Sequence, residues 1–157
     1  MKINKRLLFI CIAIPNFIGA ITGLLTKDSM ESFSKLNQPP LSPPGWIFPV
    51  VWIILYTLMG ISSYLILTSD AKESEKQRAM KLYGYQLAVN FLWPTFFFNL
   101  GWYLFSFFWL LLLLILVIAM IRSFSQISKL AAYLNIPYLI WLIFAGYLNI
   151  GIWILNK

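Results

Sequence analysis

Residues 110–118 read LLLLLILVI, so every position in this stretch is a large aliphatic residue. A strand that crosses a membrane in a β-barrel alternates apolar and polar side chains, and this stretch therefore excludes a barrel strand. It lies within a longer apolar segment, 104–121, which Arg122 terminates. Because a helix needs about 20 mostly apolar residues to cross the hydrocarbon core, the segment predicts a transmembrane helix.

The rest of the chain has the same character. Hydrophobic residues make up 61% of the 157 positions and charged residues only 11%, whereas soluble domains contain about 25% charged residues. Charges, Pro and Gly divide the chain into predicted spans at 7–25, 46–67, 82–100, 104–121 and 132–155, with an outer loop at 26–45. We predict one domain over residues 1–157, an all-α integral membrane bundle of five transmembrane helices.

Two of these segments allow an alternative. The first follows basic residues, as a signal peptide would, but it is too long for the apolar region of one, which favours a retained helix. The third is interrupted by Gln86, Asn90, Pro94 and Asn99. Neighbouring helices can satisfy these polar groups, so we interpret it as a span.

The basic residues are distributed unevenly between the two sides of such a bundle. One side holds Lys2, Lys5, Arg6, Lys72, Lys76, Arg78, Lys81, Arg122 and Lys129, and the other holds Lys27, Lys35 and Lys157. The positive-inside rule then places the N-terminus in the cytoplasm and the C-terminus outside. Topology thus explains the formal charge of +7, and we predict no nucleic-acid partner.

Few residues offer chemistry. The chain has no His and a single Cys, Cys11, inside the first segment. A disulfide and a His/Cys metal site are therefore excluded, and we predict no metal. No charged residue lies well inside a span and no internal repeat is apparent, which disfavours an ion-coupled or pseudo-symmetric transporter.

Aromatic and polar residues recur on single helical faces. These faces comprise Phe48, Trp52 and Tyr56 in the second segment, Asn90, Trp93 and Phe97 in the third, and Tyr138, Trp141, Ala145, Leu148 and Asn149 in the fifth. Rings at span ends, such as Trp46 and Trp102, are typical of interfacial belts. Trp52 and Trp141 lie deeper, and both helix packing and ligand binding account for them.

Small residues recur as Gly19-xxx-Gly23 and Gly84-xxx-Ala88. Such spacings let helix backbones approach closely. They indicate contacts within the bundle or between two copies of the chain.

Three motifs in order suggest a family. Residues 38–60 read QPPLSPPGWIFPVVWIILYTLMG, residues 86–98 read QLAVNFLWPTFFF, and residues 137–149 read PYLIWLIFAGYLN. They resemble the TspO/translocator-protein family, also called tryptophan-rich sensory proteins or peripheral-type benzodiazepine receptors, over nearly the whole chain. The resemblance implies a bacterial member in the cytoplasmic membrane, usually a homodimer, whose pocket opens towards the first loop and accepts porphyrins and benzodiazepine-receptor ligands.

The resemblance also implies site residues. The ligand-binding set is Trp46, Pro49, Trp52, Tyr56, Asn90, Trp93, Tyr138, Trp141, Phe144, Ala145, Leu148 and Asn149, with Pro43–Trp46 in a lid. Family members often place Trp where this chain has Pro40 and Leu41, which affects loop contacts to porphyrin. Ile150 and Ile154 replace the Tyr and Arg of the animal cholesterol motif, so cholesterol recognition is not predicted.

Four functions are consistent with these residues. The first is a receptor or sensor that stacks a tetrapyrrole such as protoporphyrin IX, metal-free because no His offers axial ligation, with no cofactor required. The second, implied by the resemblance, is light- and oxygen-dependent porphyrin breakdown with Trp52 and Trp141 as catalytic redox partners, which leaves the assignment as an enzyme open. Carriage of porphyrin or another amphipathic solute and a role as an assembly partner complete the set.

Overall fold

The structure is a computed structural model that describes residues 3–157. Met1 lies outside the described residues, as does Lys2 of the predicted cytoplasmic side. The helices are α1 (Lys5–Thr26), α2 (Met30–Ser34), α3 (Ile47–Leu67), α4 (Glu73–Pro94), α5 (Tyr103–Ile127), α6 (Lys129–Tyr133) and α7 (Ile136–Asn156), with a 3-10 turn at Lys27–Ser29 and a π-helical turn at Thr95–Asn99. The described residues contain no strand, and the all-α prediction is confirmed.

Apolar helices dominate the fold. Four helical stretches are long and apolar enough to cross a membrane, namely Lys5–Ser34, Ile47–Leu67, Tyr103–Ile127 and Lys129–Asn156. α4 is not among them, because its first turns, from Glu73 to Lys81, carry all of its charged residues. The chain is an all-α membrane protein with several apolar helices.

The start of α4 lies at Glu73, well before the predicted span that begins at residue 82. The Glu75 carboxylate accepts a hydrogen bond from the Lys72 backbone N–H at 3.3 Å, which caps the helix. Glu73 and Glu75 both lie in the first turn, where the helix dipole favours negative charge. The apolar segment therefore marks only the second part of a longer helix.

The end of α5 also differs from the prediction. The helix continues to Ile127 rather than residue 121, and the predicted span 132–155 begins at the end of α6. The break falls at Ser128, whose backbone is extended and whose hydroxyl accepts a hydrogen bond from Ala131 N–H at 3.2 Å. The Asn135 side chain then donates to Ser62 Oγ at 2.7 Å, which fastens this corner to α3.

α1 and α3 approach each other closely at Gly60. A Cβ built on Gly60 lies 2.5 Å from both the Cys11 carbonyl oxygen and Ile12 Cα. Pro15 lacks the N–H that would bond the Cys11 carbonyl within the helix, so this oxygen faces its neighbour. Glycine is therefore required where the two helices cross.

The buried core lies around α3 and α5. Met59, Ile66, Leu113, Val117, Met120 and Phe124 are each at most 1% exposed. α1 packs on α3, α4 packs on α5, and α5 packs on α7. This arrangement leaves space between the ends of α1, α3, α4 and α7.

Candidate ligand-binding site

A cavity of about 610 Å³ occupies that space, which we call the aromatic cavity. Its lining residues are Asn16, Gly19, Ala20, Thr22, Gly23 and Thr26 of α1, Lys27 and Met30, Phe48, Pro49, Trp52, Ile53 and Tyr56 of α3, Asn90, Trp93 and Pro94 of α4, Phe98, and Trp141 and Ala145 of α7. Lys27 and Met30 belong to the loop after α1, so the cavity reaches the end of the bundle that this loop covers. Cavities of this size hold drug-sized ligands.

Most residues of the sequence-derived set lie on this lining. They are Pro49, Trp52, Tyr56, Asn90, Trp93, Trp141 and Ala145. They come from three different helices, α3, α4 and α7, and the fold brings these residues around one space. The face of α3 that carries rings at four-residue spacing points into the cavity.

The remaining residues of the set lie outside the lining. Trp46 is 69% exposed in front of α3. Phe144 lines a separate groove against α3, which also has Trp141 on its wall. Tyr138 and Asn149 are buried and contact the lining residues through hydrogen bonds, and Leu148 is half-buried.

The rings of the cavity are held in fixed contacts. Trp52 stacks on Tyr56 with ring centroids 5.2 Å apart, and Trp141 meets Phe48 edge-to-face at 5.9 Å. Trp93 stacks on Phe97 at 5.0 Å. Because these rings support one another, they offer flat apolar walls to a guest.

A buried polar network supports the wall formed by α4. The Asn90 amide donates to Tyr138 Oη at 3.0 Å, and the Tyr138 hydroxyl donates to Gln86 Oε1 at 2.9 Å. All three residues are at most 2% exposed. Each bond satisfies a polar group away from water, so the network fixes the position of Asn90 on the lining.

A second polar link orients Trp93. Its indole N–H donates to Asn149 Oδ1 at 3.1 Å, and the Asn149 amide donates to the Tyr103 carbonyl at 2.7 Å. Asn149 thus connects α4, α5 and α7 from behind the cavity. Its contribution is to hold a ring in place rather than to face the space itself.

α1 supplies lining residues that the sequence-derived set lacked. A Cβ on Gly19 would lie 2.5 Å from Cε2 of Tyr56, so this ring rests on the α1 backbone. The Asn16 amide donates to Thr57 Oγ1 at 3.2 Å and links α1 to α3. The signal in the sequence is the recurrence of small and polar residues at three- and four-residue spacing from Asn16 to Thr26.

The first loop is attached to the bundle near its start and again in its middle. The Ser29 hydroxyl donates to Asn99 Oδ1 at 2.7 Å beside the π-helical turn. Farther along, Asn37 and Asn156 exchange hydrogen bonds at 2.9 Å. Pro39 packs so closely on α7 that a Cβ on Gly151 would lie 2.7 Å from its Cβ. Residues 43–46 are not on the cavity lining, which the loop reaches only through Lys27 and Met30.

Comparison with known proteins identifies the family. The model of the TspO/MBR family matches residues 11–154, a range that contains every residue lining the aromatic cavity. The chain belongs to the TspO/MBR family. Membership confirms the resemblance that the three sequence motifs indicated.

Alignments with related proteins extend over most of this TspO/MBR family member. It is 33% identical to the tryptophan-rich protein TspO of Chlorobaculum tepidum over 156 residues, 98% of this chain and 99% of the relative. It is 37% identical to the translocator protein of Bos taurus, over 89% of this chain and 84% of the relative. The tryptophan-rich sensory protein of Cereibacter sphaeroides is 34% identical over 83% of this chain and 79% of its own length. The chain is thus a multi-pass membrane protein of this family.

Proposed function

We propose that this family member is a single membrane domain that crosses a bacterial cytoplasmic membrane five times, with α4 as the additional crossing. No charged residue lies between Leu82 and Leu100. Arg78 and Lys81 near the start of α4 line one cleft with Arg122 near the end of α5. At its other end, α4 and its π-helical turn reach the first loop. The basic cleft would then face the cytoplasm and the first loop the outside.

Labelling with a membrane-impermeant maleimide tests this topology. Ser34 and Ser125 are exposed at the two ends of the bundle, and Cys11 is buried. In whole cells we expect Ser34→Cys to react and Ser125→Cys to react only after permeabilisation. Reaction of both variants in intact cells would contradict the proposed topology.

We propose that the aromatic cavity binds a flat tetrapyrrole of the protoporphyrin IX type, and that the protein acts as a membrane receptor or sensor. The observation that carries this proposal is that Trp52 and Trp141, from different helices, both line one cavity of about 610 Å³. Tyr56 extends the Trp52 face by stacking at 5.2 Å. Rings of this kind favour a planar apolar guest, including synthetic ligands of the benzodiazepine-receptor class.

A cation at the mouth favours a guest that carries carboxylates. Lys27 is exposed and lines the cavity where the loop begins. Among residues 3–157 the ion pairs are Lys35–Glu31 and Lys76–Glu73. Lys27 is in neither pair, so its ammonium is available to a guest. The Lys27 ammonium would attract the propionates of a porphyrin whose ring lies between the aromatic walls.

The donor set favours a metal-free ring. The chain has no His, and its single Cys is buried on α1. Cys11 is not a lining residue, and within residues 3–157 no group of His, Cys, Asp and Glu could hold a metal ion. Axial coordination of haem iron would therefore depend on Tyr56 or Met30 of the lining.

A second candidate function uses the same two tryptophans. Because Trp52 and Trp141 lie on the cavity wall, they would contact a bound porphyrin directly. Light- and oxygen-dependent breakdown of that porphyrin, with O₂ as oxidant and these tryptophans as redox partners, would make the protein an enzyme. The protein would then position and partly shield the pigment.

One titration distinguishes these functions. Purified protein is titrated with protoporphyrin IX in the dark while Trp fluorescence is recorded, and the complex is then illuminated in air. We expect saturable quenching that a benzodiazepine-receptor ligand reverses. A new absorbing species that disappears in Trp52→Phe or Trp141→Phe would support the enzyme, and its absence would support the receptor alone.

Trp153→Phe is the matched control. Trp153 lies on α7 outside the cavity lining, and the Lys157 ammonium sits 4.9 Å from its ring centroid. We expect this variant to quench and react like the unmodified protein. If wild-type protein shows no saturable quenching, the porphyrin proposal is wrong for both functions.

We also propose that the protein is a homodimer that pairs through α4. Gly84 and Ala88 are exposed on one face, and nothing lies within 4 Å of a Cβ built on Gly84. A second helix could approach closely there. Gly84→Leu should convert the dimer to a monomer in detergent, as measured by light scattering, and an unchanged mass would contradict pairing through this face.

A further inference from the structure

The second large opening of the molecule lies between α4 and α5 and measures about 640 Å³. We call it the basic cleft, because Arg78, Lys81 and Arg122 line it and no Asp or Glu does. Ser74 of α4 and Ser123 of α5 add hydroxyl groups to the lining. Three cations and two hydroxyls around one space would attract an oxyanion.

The three cations are not neutralised by the protein. The nearest acidic residues in sequence are Glu73 and Glu75 at the start of α4. Glu73 pairs with Lys76 at 3.9 Å, and Glu75 accepts the hydrogen bond from Lys72 N–H. Neither Arg78, Lys81 nor Arg122 forms an ion pair within residues 3–157. All three side chains are exposed, so their donors are available to an anion from outside the protein.

The position of the cleft along the helices indicates the source of that anion. On α4 the lining continues from Lys81 to Leu82 and Tyr85, where the apolar part of the helix begins. On α5 it continues from Arg122 back to Ala119, inside the apolar run. The cleft therefore runs from a basic and polar part, which includes Gln77 and Gln126, to a part lined by Leu82, Tyr85 and Ala119. Tyr side chains are typical of the level of the lipid headgroups.

We propose that the basic cleft binds an anionic glycerophospholipid. The headgroup phosphate would lie among Arg78, Lys81 and Arg122, and an acyl chain would leave along Leu82 and Ala119. Guanidinium groups bind phosphate oxygens in a bidentate manner, which a diffuse positive surface does not provide. The bound lipid would join α4 to α5 at the headgroup level, independently of any guest in the aromatic cavity.

Lipid binding to delipidated protein in detergent tests this assignment. Short-chain phosphatidylglycerol, short-chain phosphatidylcholine and inorganic phosphate are compared by native mass spectrometry. The test variant is R78Q/K81Q/R122Q. The control variant, K5Q/R6Q/K129Q, removes the same charge from exposed residues outside the cleft.

We expect the test variant to weaken phosphatidylglycerol binding by about tenfold or more and the control variant to change it by less than about threefold. Phosphatidylcholine and inorganic phosphate should bind more weakly than phosphatidylglycerol in the unmodified protein. Equal losses in the two variants would show only diffuse charge attraction and would overturn the proposal. So would inorganic phosphate that binds as tightly as the lipid, which would indicate a site for free phosphate.

A check on folding keeps the result interpretable. Thermal unfolding of each variant is recorded in parallel, since that readout does not depend on the lipid or on porphyrin binding. If the triple variant fails to fold, R122Q and R122K replace it, and R122K should retain more phosphatidylglycerol binding than R122Q. Equal binding by unmodified protein, R122K and R122Q would overturn the proposal.

Discussion

The aromatic cavity and the basic cleft are similar in size and opposite in chemistry. They measure about 610 and 640 Å³ and lie along the second and first parts of α4. Lys27 is the charged residue of the first lining, whereas three cations line the second. One helix thus borders two openings of opposite chemistry, because its sequence changes from charged to apolar partway along. Volume by itself would not distinguish them.

The largest separation of the two sites should come from Gly60→Ala. The added Cβ would lie 2.5 Å from backbone atoms of Cys11 and Ile12, so α1 must move away from α3. α1 lines the aromatic cavity but not the basic cleft. Overpacking of this kind costs about 1–3 kcal/mol, and we expect protoporphyrin affinity to fall by about tenfold while phosphatidylglycerol binding is retained. Fluorescence titration and native mass spectrometry measure the two effects.

Gly146→Ala provides the matched control for that prediction. A Cβ at this α7 position meets its nearest neighbour, a Leu110 methyl group, at 3.7 Å, which is ordinary contact. Both affinities should remain unchanged. A similar loss of porphyrin binding in the two variants would mean that helix glycines in general, and not the crossing of α1 and α3, set the shape of the cavity.

Tyr138→Phe tests whether the polar network behind the aromatic cavity stabilises the fold. Loss of the hydroxyl leaves the Asn90 amide and the Gln86 carbonyl without their shared partner, and both residues are at most 2% exposed. We expect the free energy of unfolding to fall by about 1–3 kcal/mol, as measured by thermal or chemical unfolding in detergent. Porphyrin binding should weaken as well, because Asn90 is on the lining.

Tyr147→Phe is the comparison for this change. The Tyr147 hydroxyl donates to the Pro40 carbonyl at 2.7 Å at an exposed site, where water can replace the lost bond. We expect a smaller loss, below about 1 kcal/mol. Equal losses would place the stabilising role of the buried network in doubt.

Lys27→Gln should produce a smaller effect that is confined to charged guests. An exposed ion pair contributes about 0.2–1 kcal/mol, so the dissociation constant for protoporphyrin IX should rise by less than about fivefold. The dimethyl ester, which has no carboxylate, should bind the variant and the unmodified protein equally. A loss for the ester as large as that for the acid would show that Lys27 acts through shape rather than charge.

Arg122→Lys should change the least. The variant keeps the positive charge of the basic cleft and loses only the bidentate geometry of the guanidinium. We expect phosphatidylglycerol affinity to fall by about two- to threefold and porphyrin affinity to remain the same. A change in porphyrin quenching would indicate that the two sites are coupled through α4 and α5.

Much of the fold could be predicted from the sequence, because apolar length is a direct consequence of the bilayer. The apolar segments predicted the helices, but not that α4 begins at Glu73 or that α5 continues to Ile127. Those turns are polar or charged, and capping hydrogen bonds stabilise them. A hydropathy pattern does not register such bonds. The change of composition therefore located the apolar part of each helix and missed the polar start of α4 and the polar end of α5.

The candidate site was predictable where ring spacing marked a face. Trp52 and Tyr56 lie on the lining as their spacing on α3 suggested. Asn149 lies behind the lining, where it bonds to Trp93 and the Tyr103 carbonyl. This position depends on how α4, α5 and α7 meet, which residue spacing does not reveal. The contribution of α1 was missed because its Gly and Thr spacing is equally typical of helix packing. They line the cavity by leaving room for it.

The contact between Pro39 and Gly151 has a consequence for kinetics. Pro39 is buried in the first loop, and Gly151 lies on α7 outside the lining of the aromatic cavity. The loop that carries Lys27 is therefore packed on α7 at a residue outside the cavity lining. A larger side chain at position 151 would push Pro39 and its loop away from α7. If a guest enters past this loop, entry and exit would both become faster, so residence time would shorten while occupancy at equilibrium changed little. One glycine would thus set how long a pigment stays, separately from how tightly it is held.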